Sequence, residues 1–142
     1  MIKIATTDDE ILKCFGVMNQ LRPNLHKSDF VDIIKLLFSE GYILAYLEEG
    51  NDVKSVAGFK EQHNLFLGKH LYVEDFVTDE KERSKSYGQQ LFDWLCERGR
   101  QTACSVIHLD SGVQRHKAHK FYLNQDLKII CYHFGKELIS EP

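Results

Sequence analysis

The stretch that decides the fold is residues 75–91, Asp-Phe-Val-Thr-Asp-Glu-Lys-Glu-Arg-Ser-Lys-Ser-Tyr-Gly-Gln-Gln-Leu. A strand pattern that ends at Thr78 runs into a polar loop and then into a helical pattern. The first N–H groups of a helix lack partners, and the helix dipole adds partial positive charge there. Arg83 and Lys85 add full charges, and Gly88 allows the backbone to approach a ligand closely. These residues favour a site for an anion such as a diphosphate, with a solvated, helix-capping loop as the alternative.

The sequence on either side of this stretch alternates between strand and helix patterns. Apolar spacing predicts the order β-α-α-β-β-β-α-β-α-β, with a further strand left open at the end. The predicted strands cover residues 2–5, 42–47, 53–62, 69–78, 105–109 and 127–134, the last with an extension toward 138, and the predicted helices cover 11–21, 30–38, 87–98 and about 118–124. The β-α-β unit from 69 to 109 predicts a parallel pair of strands joined by a crossover helix.

Length and composition exclude several classes of protein. The chain has 142 residues, 43% hydrophobic and 27% charged, which predicts one globular domain over residues 1–142. A formal charge of −3 leaves no basic excess for nucleic acid, and no apolar run is long enough to span a membrane. The N-terminus lacks a signal-peptide pattern, which makes the cytoplasm the expected location. No spacing of Cys, His and acidic residues predicts a metal site.

Two motifs give the chain a family resemblance. Arg83, Ser86 and Gly88 resemble the Arg/Gln-x-x-Gly-x-Gly/Ala motif of the GCN5-related N-acetyltransferase (GNAT) superfamily, with Ser86 at the usual first glycine. Downstream, Ala118-His119-Lys120-Phe121-Tyr122 resembles the family's Ala-x-x-Phe-Tyr helix, and Asp126-Leu127 stands where Gly-Phe is usual. The element order agrees with the family over nearly the whole chain.

The resemblance implies a fold and a coenzyme. The fold is α/β, a GNAT-like mixed, mostly antiparallel sheet of six to seven strands, splayed between strands 4 and 5 and flanked by four helices. The coenzyme is acetyl-CoA, the acyl donor, with its pantetheine arm beside the end of the fourth strand and its diphosphate on the loop that follows. The residues implied in binding it are Phe76, Val77, Thr78, Arg83, Ser84, Lys85, Ser86, Tyr87, Gly88 and Gln89.

The same resemblance implies catalytic roles. Tyr122 matches the family's general acid, which protonates the leaving thiolate, and its alternative role is that of a core aromatic beside Phe121. Glu74 and Asp75 are the candidates for the general base, because a carboxylate facing a cleft can accept the amine's proton. Either one could instead pair with a nearby Lys or Arg. His63, His70 and His108 lie on predicted strands and could relay protons.

The favoured function is an acetyl-CoA-dependent N-acetyltransferase that transfers the acetyl group directly to a primary amine in a ternary complex. The acceptor would be a small molecule or a peptide, and a homodimer stays open. A non-catalytic acyl-CoA-binding or protein-interaction module of the same fold is the first alternative. An unrelated α/β domain that binds another anion is the second.

Overall fold

The structure is a computed structural model, and it describes residues 1–83 and 85–139. The chain divides into two compact units, Met1–Leu109 and a second unit that begins at Asp110. The first unit contains, in chain order, β1 (Ile2–Ile4), α1 (Asp8–Lys13), α2 (Phe15–Leu21), α3 (Lys27–Ser39), β2 (Tyr42–Glu49), β3 (Asp52–Asn64), β4 (Gly68–Thr78), a 3-10 turn (Glu80–Glu82), α4 (Tyr87–Gln101) and β5 (Val106–Leu109). The second unit contains α5 (His116–Asn124).

The five strands form one sheet in the order β1-β2-β3-β4-β5. The first four are antiparallel neighbours, so β2, β3 and β4 form the meander that the sequence predicts. The last pair, β4 and β5, is parallel, with His70 opposite Val106 and Val73 opposite Leu109. β5 ends at Leu109, opposite Val73, so beyond this point β4 pairs only with β3 among the described strands. This end of the pairing agrees with the splay expected between strands 4 and 5.

Helices cover both faces of the sheet. On one face, α1, α2 and α3 bury Ile11, Met18 and Phe30 against the side chains of Tyr46 and Val56. On the other face, α4 buries an apolar stripe, with the Phe92 ring 5.9 Å from that of Phe76 and the Trp94 ring 6.2 Å from that of Phe59. Both edge-on ring contacts are typical of a packed aromatic core.

The predicted first helix is two helices in the structure, so the described residues form five helices rather than four. A capping box starts α1: the Thr7 hydroxyl accepts a hydrogen bond from the Glu10 N–H, and the Glu10 carboxylate accepts one from the Thr7 N–H. At Cys14 the chain tightens, because the Cys14 N–H donates to the carbonyl of Ile11, three residues back, and α2 then begins at Phe15. Both helices keep the same apolar face, and spacing alone therefore does not reveal the break.

The prediction of six to seven strands was wrong, because the described residues form five. No strand lies in residues 127–139, and Ile129, Tyr132 and Phe134 are 82%, 86% and 91% exposed. A strand is defined by hydrogen bonds to a neighbouring strand, and alternation in a sequence does not supply that neighbour. Among the described residues, no helix is both long and apolar enough to cross a bilayer.

Candidate active site

A β-bulge in β4 lies just beyond the last residue that pairs with β5. Gly58 of β3 lies opposite Asp75, and the next residue, Phe59, lies opposite Val73, so Glu74 is the extra residue of the bulge. A bulge redirects side chains and ends regular pairing. It therefore places Glu74 and Asp75, the two base candidates, just beyond the point where the pairing of β4 with β5 ends.

Asp75 is the centre of a hydrogen-bonded group drawn from three parts of the chain. Arg22, which ends α2, donates from Nε to Asp75 Oδ1 at 2.9 Å, and the Tyr42 hydroxyl donates to Asp75 Oδ2 at 2.8 Å. Burial, followed by the charge of Asp75, raises the pKa of Tyr42 well above its usual value. The Tyr42 hydroxyl is therefore protonated and is the donor in this hydrogen bond.

Asp75 also lines a pocket of about 490 Å³ between the sheet, the end of α2 and α3. Its described lining is mostly apolar or aromatic: Met18, Leu21, Pro23, Leu25, Phe30, Ile33, Ile34, Leu37 and Tyr42. The other lining residues are Arg22, Asn24 and Asp75. The pocket thus combines apolar walls with a single carboxylate, the usual pattern of a small-molecule site.

Glu74, the other base candidate, has different surroundings. Its carboxylate lies 3.4 Å from the Lys60 ammonium, and it is not part of the pocket lining. Its backbone carbonyl accepts a hydrogen bond from Arg22 Nη2 at 3.1 Å. Glu74 therefore helps to fix Arg22, while Asp75 supplies the carboxylate of the pocket.

The three residues that follow the bulge finish β4. Phe76 and Val77 are buried on opposite faces of the sheet, Phe76 against α4 and Val77 in the cluster formed with α1–α3. The Thr78 hydroxyl lies 3.1 Å from that of Ser55 on β3. Their side chains hold the strand in place, which leaves the backbone as the part of this segment suited to pairing with a ligand.

The loop before α4 contains the predicted cations. Lys85 lies 2.7 Å from Glu82, which also binds Lys54 at 3.0 Å, and these hydrogen bonds, the one from Lys85 first, lower the pKa of Glu82. Arg83 donates from Nε to the Thr78 carbonyl at 3.4 Å. Ser84, a predicted binding residue, lies outside the described residues. Of the two predicted cations, Lys85 is thus paired with a carboxylate, and Arg83 has a described contact only with a carbonyl.

The start of α4 is suited to an anion. Ser86 is the N-cap, in a left-handed conformation with φ of 64°, and its side chain makes no capping hydrogen bond to the helix. The first turn, with Tyr87, Gly88 and Gln89, contains no acidic residue, whereas the first turn of α1 contains three. The positive end of the α4 dipole is therefore not neutralised by a carboxylate of that turn.

Tyr122, the predicted general acid, lies in α5 in the second unit. It is 8% exposed, and its ring lies 5.7 Å from that of Phe121. Burial raises the pKa of Tyr122, and Arg115 offsets part of the rise. A buried phenol of this kind keeps its proton at neutral pH, as a general acid must.

Sequence reasoning missed the pairing of two histidines. His70 on β4 is 1% exposed, and its Nδ1 lies 2.7 Å from Nε2 of His108 on β5. The two rings meet because β4 and β5 pair in parallel with His70 opposite Val106. The sequence of each strand does not determine this register, so the contact could not be predicted. No group of three potential metal ligands occurs among the described residues.

A parallel β4–β5 pair whose pairing ends at a bulge, with the N-terminus of α4 following β4, agrees with the GNAT fold that the two motifs imply. The chain matches the acetyltransferase (GNAT) family over residues 8–126, and it belongs to that family. The resemblance stated from the two motifs is thereby confirmed.

Individual relatives agree with this assignment. The chain is 29% identical over 125 residues to the uncharacterized N-acetyltransferase YhdJ of Bacillus subtilis (strain 168), covering 87% of this chain and 88% of that one. It is 29% identical over 144 residues to the aminoalkylphosphonate N-acetyltransferase of Salmonella typhimurium, and the match covers 96% of this chain and 90% of that one. In structure it is similar to the aminoglycoside N-acetyltransferase AAC(6')-Iy in complex with CoA, with a TM-score of 0.81, 13% identity and coverage of 98% and 96%. The chain is an acetyltransferase.

Proposed function

We propose that the chain transfers an acetyl group from acetyl-CoA to a primary amine, directly and within a ternary complex. The observation that carries the proposal is the bulge at Glu74 and Asp75, with the apolar pocket on one side and, beyond the end of β4, a start of α4 whose first turn contains no acidic residue. The pocket would bind the amine, and the start of α4 would bind the diphosphate. The end of β4 and the loop that follows it connect the two.

The residues at the start of α4 fit the diphosphate of acetyl-CoA. The N–H groups of Tyr87, Gly88 and Gln89 would bind its oxygens, with Arg83 as the cation, and Lys85 would contribute after release from Glu82. The backbone of Phe76, Val77 and Thr78 would pair with the pantetheine arm. When bound, the coenzyme supplies the acetyl group as a thioester.

The chain's own groups would manage two protons during transfer. The acceptor enters as an ammonium ion and loses one proton before its nitrogen attacks the acetyl carbon. Nitrogen loses a second proton as its bond to carbon forms, sulfur gains one as the carbon–sulfur bond breaks, and the remaining proton leaves to solvent. Asp75 would accept the first of these protons, directly or through a water molecule, and the Tyr122 hydroxyl would donate the proton that sulfur gains. Asp75 is the better base candidate because it lines the pocket and Glu74 does not.

Binding of acetyl-CoA tests the proposal. Acetyl-CoA at ~100 times its dissociation constant adds roughly 2.7 kcal/mol to the free energy of unfolding, which is measurable as a thermal shift. Gly88→Val should remove most of that shift, because side-chain bulk at the first turn would block the phosphate. No shift with millimolar acetyl-CoA contradicts the proposal. A shift without turnover of any amine would instead identify the non-catalytic binding module.

A further inference from the structure

From the pocket next to Asp75 we infer the class of the acceptor: a primary amine with one positive charge and an apolar body, such as an arylalkylamine. This inference rests on the proposed function, because it assigns the pocket to the amine. The class differs from polyamines and aminoglycosides, which carry several ammonium groups, and from amines whose body is itself an anion.

The walls of the pocket favour an apolar body. Leu21, Leu25 and Leu37 line the pocket and are only partly buried, so each has apolar surface that a ligand can cover. An apolar substituent against these side chains is removed from water at no cost in lost hydrogen bonds. A hydroxyl or an ammonium group in the same position would lose its water and find no polar partner.

The charges of the pocket favour a single ammonium group. Asp75 is the one carboxylate in the described lining. The Arg22 guanidinium forms an ion pair with it at 2.9 Å and so neutralises its charge. A polycation would therefore bring two or more ammonium groups to a lining whose formal charge sums to zero. A monoamine brings one ammonium group, which matches the one carboxylate of the described lining, Asp75.

The size of the pocket agrees with an amine that has a ring or a branched chain. A volume of about 490 Å³ falls within the range of pockets that bind whole small molecules. A two-carbon aminoalkyl chain would leave most of the apolar wall uncovered. The apolar lining then contributes to affinity only if the acceptor has a body that reaches it.

Competition between amine classes tests the inference. At saturating acetyl-CoA, kcat/KM for phenethylamine should exceed that for spermidine, kanamycin and 2-aminoethylphosphonate by about tenfold or more, the range that an apolar pocket provides. A higher kcat/KM for any of those three overturns the inference. So does the absence of both turnover and thermal stabilisation with phenethylamine while acetyl-CoA still binds. Failure of acetyl-CoA to bind contradicts the proposed function instead.

A pair of variants on α3 locates the preference in the pocket. Ile33 lines the pocket and is 37% exposed, while Leu36 on the same helix is 63% exposed and is not part of the lining. Ile33→Glu should lower kcat/KM for phenethylamine by about tenfold and reduce the advantage of phenethylamine over spermidine. Leu36→Glu is the matched control and should change neither value by more than about twofold. Equal effects of the two variants would overturn the inference.

Discussion

At the scale of single residues, Asp75 joins parts of the chain that are far apart in sequence. Its carboxylate binds Arg22, 53 residues away, and Tyr42, 33 residues away, and it faces a pocket formed by other segments again. The sequence could place Glu74 and Asp75 together on a strand near the cleft. It could not separate them, because the bulge and the partners of each carboxylate depend on contacts between distant segments.

The first prediction separates the two carboxylates. Asp75→Asn keeps the shape of the side chain but removes its capacity to take a proton, so kcat/KM should fall by about a hundredfold. Glu74→Gln is the matched control and should cost no more than about threefold, because Glu74 is paired with Lys60 outside the pocket. Steady-state kinetics with acetyl-CoA and an accepted amine measures both. The reverse ranking would assign the base to Glu74.

The second prediction concerns Tyr122. Tyr122→Phe keeps the ring beside Phe121 and removes the hydroxyl, so kcat should fall by about a hundredfold while acetyl-CoA affinity changes little. Because burial raises the pKa of Tyr122, the proton stays available through neutral pH, and activity that depends on it should decline only above pH ~10. Single-turnover kinetics measures the step, with the exposed Tyr132→Phe as control. Equal rates for Tyr122→Phe and the unmodified chain would make Tyr122 a packing residue.

Two departures from the family's motifs share a backbone feature. Ser86 and Asp126 stand where the motifs have glycine, and their φ angles are 64° and 66°. Glycine adopts this left-handed region without steric cost, and Asp tolerates it better than most residues. The backbone at both positions therefore has the left-handed conformation that glycine favours. A comparison of sequences alone shows only two mismatches with the motifs.

At the scale of elements, the sequence predicted best what depends on local periodicity. The meander of β2, β3 and β4 and the crossover from β4 through α4 to β5 are observed as predicted. The break between α1 and α2 and the missing strands after Asn124 were not predictable in the same way. The break depends on one tight turn at Cys14, and a strand depends on an edge that accepts it.

The third prediction tests how β3 supports the site. A Cβ on Gly58 would overlap the Tyr42 hydroxyl and ring, so Gly58→Ala must displace the Tyr42 ring and break its hydrogen bond to Asp75. Overpacking of this kind costs about 1–3 kcal/mol, which urea unfolding measures. Gly16→Ala in α2, where a Cβ would meet nothing within 4 Å, is the control and should not destabilise.

A double variant checks the physical reason. If the cost of Gly58→Ala comes from Tyr42, it should be smaller when Tyr42 is already Leu, giving a coupling energy of about 0.5 kcal/mol or more. Strict additivity of the two substitutions would place the cost elsewhere in β3.

At the scale of the whole molecule, the core between the sheet and α1–α3 contains groups that can ionise only when it opens. Cys14 is fully buried, and burial, with a smaller contribution from Glu10, raises its pKa from 9.0 to about 12. Burial and a hydrogen bond to Glu10 raise the pKa of Tyr46 to about 12 in the same core. Both groups are neutral in the folded chain at pH values where the unfolded chain has lost their protons.

The fourth prediction follows from the sign of these shifts. The contribution of Cys14 to the free energy of unfolding is fully present below pH ~9 and is lost as pH rises toward ~12. The reason is that the thiol ionises at lower pH in the unfolded chain than in the folded chain. The free energy of unfolding should therefore fall by ~1.4 kcal/mol per pH unit for this group within that window. Urea unfolding measures the free energy of unfolding at pH 8 and at pH 10.5. The decrease between the two pH values should be smaller for Cys14→Ala than for the exposed control Cys131→Ala. An equal loss in both variants would contradict the assignment to Cys14.

The most direct test of the central claim is the stoichiometry of the reaction. The chain is incubated with acetyl-CoA and phenethylamine, the N-acetylated amine is measured by mass spectrometry, and the free thiol of CoA is measured by a colorimetric reagent. Direct transfer predicts one amide for each thiol, no thiol release without an amine, and a rate of both products about a hundredfold lower in the Asp75→Asn variant. The contrary result is that free thiol forms at the same rate with and without each amine tested (phenethylamine, spermidine, kanamycin or 2-aminoethylphosphonate) and that no amide appears. That result would contradict the account of this chain as an N-acetyltransferase.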